Sequence, residues 1–249
     1  LKPVDLGQVL ARARVRGFQG SDLSRPDAML ATPKHFAVHS GPEPLRHDFN
    51  VDPTAADLYE TYLPAFEALV REGKVEIVMT AYNALYGKPA PVNPLLYMLL
   101  AKWGFNGHVT SDCGSIEDLY TTYKVAADAA EAEAMSQKAG LSLRCGGEPS
   151  ELVDAVKRGL ISEAEIDYRL GALLRTQFRL GFYDPAGSVP FSRIAPTENM
   201  APAHGALAPL AGVSGVSWVS LQKGAPAAQA ARPAALHHPQ HGQQRQRGD

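Results

Sequence analysis

Two hydrophobic periods alternate along this chain, and that exchange limits its fold more than any other feature. Four short apolar runs are "AMLATPKHF" (28–36), "VEIVMTAYN" (75–83), "GHVTSDC" (107–113) and "LSLRC" (141–145). Each has the length and β-branched content of a buried strand. Between them apolar residues recur at helical spacing, as in "PTAADLYETYLPAFEALVREGK" (53–74), where Leu58, Tyr62, Phe66 and Leu69 share one face. Asp52-Pro53 suits the start of that helix as cap and first-turn proline, and Asn93-Pro94 opens "PLLYMLLAKWG". Ser115 with Asp118 reads as a capping box, as does Ser162 with Glu165 ahead of "IDYRLGALLRTQFRLGF", which Gly181 stops.

Strand and helix exchanging every 30 to 45 residues or so is the pattern of βα units and a parallel sheet. A complete (β/α) barrel needs about eight such units. The expectation is therefore an α/β fold over residues 1–187: a partial TIM-type barrel of about four βα units, or a small open α/β sheet. Beyond Tyr183-Asp184-Pro185 the pattern ends. Residues 188–205 read as an irregular linker. Residues 206–249 read as a low-complexity, disordered tail of Ala, Gly, Pro, Gln and His, in which "GVSGVSWVSL" is a weak strand. No Glu follows Glu198, and Asp249 is the only Asp after Asp184.

Composition removes several classes of partner. With 24 basic and 26 acidic residues in 249, the net charge of −2 offers no field for nucleic acid or an anionic membrane. No apolar run approaches the roughly 18 residues of a spanning helix. "LKPVDLGQVLARAR" lacks the apolar core of a secretory signal, and without an initiating Met it reads as the inside of a longer protein. Cys113 and Cys145 permit one bridge. They end consecutive expected strands, so a disulfide between them is one reading and two buried thiols the other. The compartment stays open, periplasmic or secreted for a parent protein included.

Parallel βα architectures bind ligands at the carboxyl ends of their strands. The four expected ends carry Lys34-His35, Tyr82-Asn83, Ser111-Asp112 and Arg144-Cys145. Singly, each has an ordinary explanation: a solvated lysine, a core histidine, a packing tyrosine, a turn aspartate. Together they place polar and reactive groups on one edge, and this favours a site. His35, His39 and His47 match no compact zinc spacing, so no metal is expected; no glycine-rich phosphate cradle is present, and no cofactor is expected.

"ATPKHFAVHSGPEPLRHDF", "VMTAYNALYGKPAPVNPLL", "KWGFNGHVTSDCGSI" and "RLGFYDP", in that order, resemble glycoside hydrolase family 3. The likeness runs from about residue 15 to 204 and looks like the later part of the family's barrel domain. It implies a retaining exo-β-glycosidase, of β-xylosidase or β-glucosidase type, acting on an oligosaccharide or glycoside. By that resemblance Asp112 stands at the catalytic nucleophile. Lys34 and His35 stand at the pair gripping hydroxyls of the terminal sugar, Arg46 at a further sugar-binding arginine, and Tyr82 at a site tyrosine. Many members have Trp after the nucleophile; Cys113 there, with Cys145, looks like the xylosidase-leaning branch. Nearby Lys34 and Arg46 would favour a charged Asp112. Retention also needs a second carboxyl about 5 Å away, which the resemblance puts downstream of the barrel domain. The family-like text fades after "PAHGALA", and the tail has the look of a shifted reading frame. A truncated, inactive fragment is thus the alternative for the isolated chain. A Schiff-base lyase or aldolase using Lys34 explains fewer of the residues. Open sheet edges would allow pairing with another copy.

Overall fold

The computed structural model describes residues 3–25, 28–39 and 41–188, with isolated positions between 193 and 202. Its elements are α1 (Pro3–Gln19), β1 (Asn50–Val51), α2 (Ala55–Asp57), α3 (Pro64–Arg71), β2 (Ile77–Met79), β3 (Ala84–Leu85), β4 (Lys88–Pro89), α4 (Pro94–Lys102), β5 (His108–Thr110), α5 (Asp118–Thr121), α6 (Ala129–Ala139), β6 (Leu141–Leu143), α7 (Pro149–Lys157) and α8 (Glu163–Arg179). The chain divides into units Leu1–Ser192 and Arg193–Asp249. The expected linker (188–205) and tail (206–249), with its weak strand, fall almost wholly outside the described residues.

The architecture is α/β. Strands β2, β5 and β6 form a parallel sheet in that order, with Val78 opposite Val109 and Val109 opposite Leu141. Helix α4 lies between β2 and β5 in sequence, and α5 and α6 between β5 and β6. Gly107, just before β5, is obligatory: a Cβ there would sit 2.0 Å from the Glu76 carbonyl oxygen. The strands begin too close together for any side chain at that point.

The expected first strand, 28–36, does not form as a strand. One bridge, Phe36 to Thr80, joins that segment to the outer edge of β2. The Phe36 N–H donates to the Met79 carbonyl (2.8 Å), and Ala81 N–H to the Phe36 carbonyl (2.8 Å). Pro33 supplies its carbonyl to Met79 N–H (3.2 Å) but has no N–H to return. The ladder therefore stops at a single bridge.

The expected helix 53–74 is also corrected. It is broken into α2, a π turn over Leu58–Tyr62, and α3. Pro64 opens α3; with no N–H and a ring that crowds the preceding turn, it cannot sit inside a continuous helix. Thr54, not Asp52, caps α2 by accepting from Asp57 N–H (3.1 Å). Asn93 does cap α4, accepting from Leu95 N–H (3.0 Å), and its amide also donates to the Leu85 carbonyl (2.9 Å). Ser162 and Glu165 form the reciprocal box that starts α8. A second small sheet, β1 parallel to β3 and β3 antiparallel to β4, was not evident from the sequence. Its hairpin turns on Tyr86 (φ 52°) and Gly87 (φ 73°), both left-handed as a tight two-residue turn requires.

The core gathers Phe36, Leu58, Leu63, Val78, Leu85, Leu96, Ile116, Leu119 and Leu141, all essentially without solvent exposure. Helix α8 packs on β5 and β6, and Thr176 on it meets the buried His108 side chain (3.1 Å). Ala130 and Ala134 of α6 meet Ala155 of α7 and Ile161 in a satellite cluster. Among the described residues no helix is long and apolar enough to cross a membrane.

Candidate active site

Strand β5 lies between β2 and β6, so whatever follows its last residue emerges at the middle of the sheet edge. Ser111 N–H donates to the Leu143 carbonyl (2.9 Å) and extends the ladder with β6 by one bond. Asp112 then leaves the sheet. Its backbone does form a turn: Ser115 donates to the Asp112 carbonyl from both N–H (3.2 Å) and hydroxyl (2.9 Å). Ser115 is thus committed to that turn and caps no helix; α5 begins at Asp118 without a side-chain cap, which corrects the expected capping box there.

The Asp112 carboxylate does something a turn does not need. One oxygen accepts from Cys113 N–H (2.8 Å), and the other lies 3.0 Å from His35 Nε2. Burial lowers the His35 pKa, assisted by the positive charges of Lys34, His39 and Arg46 and opposed by Asp112. That shift favours the neutral imidazole at this contact.

The loop that holds Asp112 is tied to the loop after β6. Cys113 and Cys145 form a disulfide, with Cα atoms 4.4 Å apart. Cys145 N–H donates to the Ser111 hydroxyl (2.9 Å), and Gly114 N–H to the Cys145 carbonyl (3.2 Å). Arg144, the other expected strand-end residue, points elsewhere and pairs with Glu133 (3.1 Å) and Glu151.

Tyr82 follows β2 and is nearly buried. Its hydroxyl donates to the Cys113 carbonyl (2.8 Å). Burial and then the neighbouring Asp112 carboxylate raise its pKa, so it stays a neutral phenol. The Arg46 guanidinium lies 5.1 Å from the Tyr82 ring centre and pairs with Glu43 (2.9 Å). The structure thus brings Asp112, His35, Tyr82 and Arg46 together. Lys34 is exposed beside His35, near enough for its charge to act on that imidazole.

Residues that the sequence reading left without a site role complete the cluster. The His47 ring packs on Tyr82 (4.3 Å between centres), and its Nδ1 is 2.8 Å from the Asp118 carboxylate. His39 packs against both His35 (4.9 Å) and Tyr82 (5.9 Å). The Tyr123 hydroxyl reaches the Tyr82 and Phe49 carbonyls (3.1 and 3.3 Å). Two of the imidazoles, His39 and His47, lie against the Tyr82 ring while His35 meets Asp112, and among the described residues no group of three His, Cys, Asp or Glu side chains is arranged to hold a metal. Val38, next to His39 in the chain and buried in the hydrophobic core, has a φ of 63°. For a β-branched residue that backbone costs on the order of 1–3 kcal/mol, and such strain is concentrated at functional loops.

Residues 4–176 match the model of the glycosyl hydrolase family 3 N-terminal domain. A xylan 1,4-β-xylosidase of Xylanibacter ruminicola is 39% identical over 194 residues, covering 76% of this chain and 22% of that protein. β-D-xylosidase 1 of Arabidopsis thaliana is 36% identical over 207 residues, covering 80% of this chain and 26% of that one. Among solved structures, a family 3 exo-β-xylosidase in complex with a xylobiose aziridine activity-based probe superposes with a TM-score of 0.67 at 27% identity, over 76% of this chain and 25% of that one. A β-glucosidase from Listeria innocua in complex with isofagomine gives 0.66 at 28% identity, over 76% and 27%. The chain spans about a quarter of the length of the relatives it matches. Over the residues that build this site, the chain belongs to glycoside hydrolase family 3.

Proposed function

We propose that this chain carries the sugar-gripping half of a retaining exo-β-glycosidase site, with Asp112 as nucleophile. The parent protein would remove xylose or glucose from the non-reducing end of β-linked oligosaccharides or glycosides. The carrying observation is the Asp112 carboxylate: nearly buried, past the end of a central parallel strand, and accepting from both Cys113 N–H and His35. Lys34, His35 and Arg46 supply donors for vicinal hydroxyls, and Tyr82 fixes the Cys113 peptide against which Asp112 is set.

An Asp112 oxygen attacks the anomeric carbon as the bond to the leaving oxygen breaks, giving a glycosyl ester and a departing alkoxide. Water then cleaves the ester. Both steps need a proton shuttle from a second carboxyl about 5 Å from the first. Asp118 is tied to His47 and Glu43 to Arg46. We place the shuttle in a part of the parent protein that this chain does not include. Natural disaccharides are then nearly inert to the isolated chain, while glycosides with a leaving group that needs no proton still react.

In the same reading residues 1–187 are the later part of a (β/α) barrel, 188–205 a linker and 206–249 a departure from the family pattern. The neighbour order supports this: the Phe36 segment, β2, β5 and β6 lie side by side in chain order, as along a barrel wall. Both outer edges are unclosed in such an arc, and a second copy could pair there. A Schiff-base role for Lys34 gains nothing from the structure, because the side chain is exposed instead of enclosed in an apolar pocket.

The test uses the dinitrophenyl glycosides of fluorodeoxyxylose and fluorodeoxyglucose. Their leaving group departs unassisted, and the fluorine slows hydrolysis of the ester. Purified chain should release one equivalent of dinitrophenolate and then stop, and Asp112→Ala should release none. Equal release by the variant would remove Asp112 from the role.

A further inference from the structure

We infer that His47, clamped by Asp118, is a positioning residue that latches the Arg46 loop and Tyr82 over Asp112. This rests on the glycosidase reading for its purpose but not for its geometry. Among the described residues 41–48 of the loop after His39 there is a single turn of helix, Glu43–Leu45. Its backbone hydrogen bonds are local: Leu45 N–H to Pro42, Arg46 N–H to Glu43, Asp48 N–H to Leu45. Arg46 spends its ion pair on Glu43, three residues back in the same loop. None of these bonds fixes the loop to the sheet.

Among the described residues 41–48, the His47 side chain makes a hydrogen bond that leaves the loop. Its Nδ1 meets the Asp118 carboxylate at 2.8 Å, across 71 residues of sequence. Asp118 is the first residue of α5, six positions beyond Asp112, and its side chain is only 9% exposed. The clamp therefore ties the Arg46 loop to the segment that carries Asp112. The other contact of His47 is the Tyr82 ring, 4.3 Å away, on which the Arg46 guanidinium also rests. Tyr82 in turn donates to Cys113, the residue whose N–H holds the Asp112 carboxylate. One line of contacts runs Asp118, His47, Tyr82, Cys113, Asp112. The imidazole remains 49% exposed while its Nδ1 edge is engaged.

An asparagine amide nitrogen occupies nearly the position of an imidazole Nδ1, whereas leucine fills similar space and cannot donate. His47→Asn should keep the latch and His47→Leu should lose it. In hydrogen exchange of the unliganded full chain, the Leu45, Arg46 and Asp48 amides should exchange about tenfold faster in His47→Leu, the effect expected of one half-exposed hydrogen bond to a charged group. His47→Asn should stay within about threefold of wild type. With the dinitrophenyl fluorodeoxyxyloside, the half-saturating concentration should rise about tenfold in the leucine variant while the limiting rate of labelling changes less, as expected when a binding loop loosens. Wild-type exchange in His47→Leu, or equal damage in His47→Asn, overturns the latch. A wild-type chain that never reacts with the glycoside overturns the glycosidase reading instead, and the exchange comparison then decides the latch by itself.

Discussion

His108 gives the fold a pH limit that can be worked out in advance. It is the first residue of β5, 3% exposed, with its Nδ1 3.1 Å from the Thr176 hydroxyl of α8. Burial lowers its pKa from 6.5 to about 4. Among the described residues no carboxylate pairs with it, so protonating it in place would put an uncompensated charge under α8, and the unfolded chain binds this proton more readily than the folded one. Its contribution to stability is present in full above pH 6.5 and drains away as pH falls towards 4. Between about pH 7.5 and about pH 4.5 the linkage from that one shift amounts to about 2.5 kcal/mol. The assay is urea unfolding of wild type and His108→Asn across that range. Asparagine keeps a group near Nδ1 for Thr176 and cannot titrate, although its smaller side chain lowers stability at every pH. Acid-labile carboxylates are common to both proteins, so the difference between their pH profiles isolates His108. Wild type should lose about 2 to 3 kcal/mol more than the variant on acidification. Parallel profiles would refute the claim that this imidazole is neutral and sealed beneath α8.

Three further perturbations read other parts of the structure. Arg144→Ala leaves Glu133, whose side chain is 5% exposed and whose pKa burial already raises, without its cation; it should cost about 3–5 kcal/mol in urea unfolding, partly recovered by Glu133→Gln in the same chain. Asn93→Ala removes the α4 cap and the donor to the Leu85 carbonyl together, which should lower stability by about 2 kcal/mol in the same measurement. Replacing Cys113 and Cys145 by serine opens a loop of 32 residues' separation and should cost about 3–4 kcal/mol, with the first new exchange-labile amides at Gly114 and Cys145, whose bonds join the two loops.

What could be read in advance follows from how far each interaction reaches along the chain. Strands β2, β5 and β6 were evident because Val78, Val109 and Leu141 are buried within short apolar runs, a pattern that needs no partner to be recognised. The α8 start was evident for the same reason, since Ser162 and Glu165 are three residues apart. Asp112 stood out as a carboxylate at the end of such a run, although its distance to His35, 77 positions earlier, was not readable. Segment 28–36 has a strand's composition, but Pro33 removes the donor that a second bridge requires. Pro64 was likewise visible inside the helical pattern and outweighed it. The two-residue strands β1, β3 and β4 are too short to leave any period. His47 and Asp118 were hidden most completely. The sequence offers His47 only as a metal ligand of unsuitable spacing and Asp118 only as half of a capping box, and only the folded chain brings them within 2.8 Å.

We propose Asp112 as the carboxylate that meets the anomeric carbon, and a covalent adduct would reveal it. The most direct measurement is peptide mapping by mass spectrometry after the full chain has reacted with the dinitrophenyl glycoside of fluorodeoxyxylose or fluorodeoxyglucose. One fluorodeoxyglycosyl group per chain should be found, ester-linked to Asp112 in the peptide that also contains Cys113, and none after Asp112→Ala. A glycosyl group found on Asp118, Glu43 or any other carboxylate, or no adduct with either sugar, would contradict it.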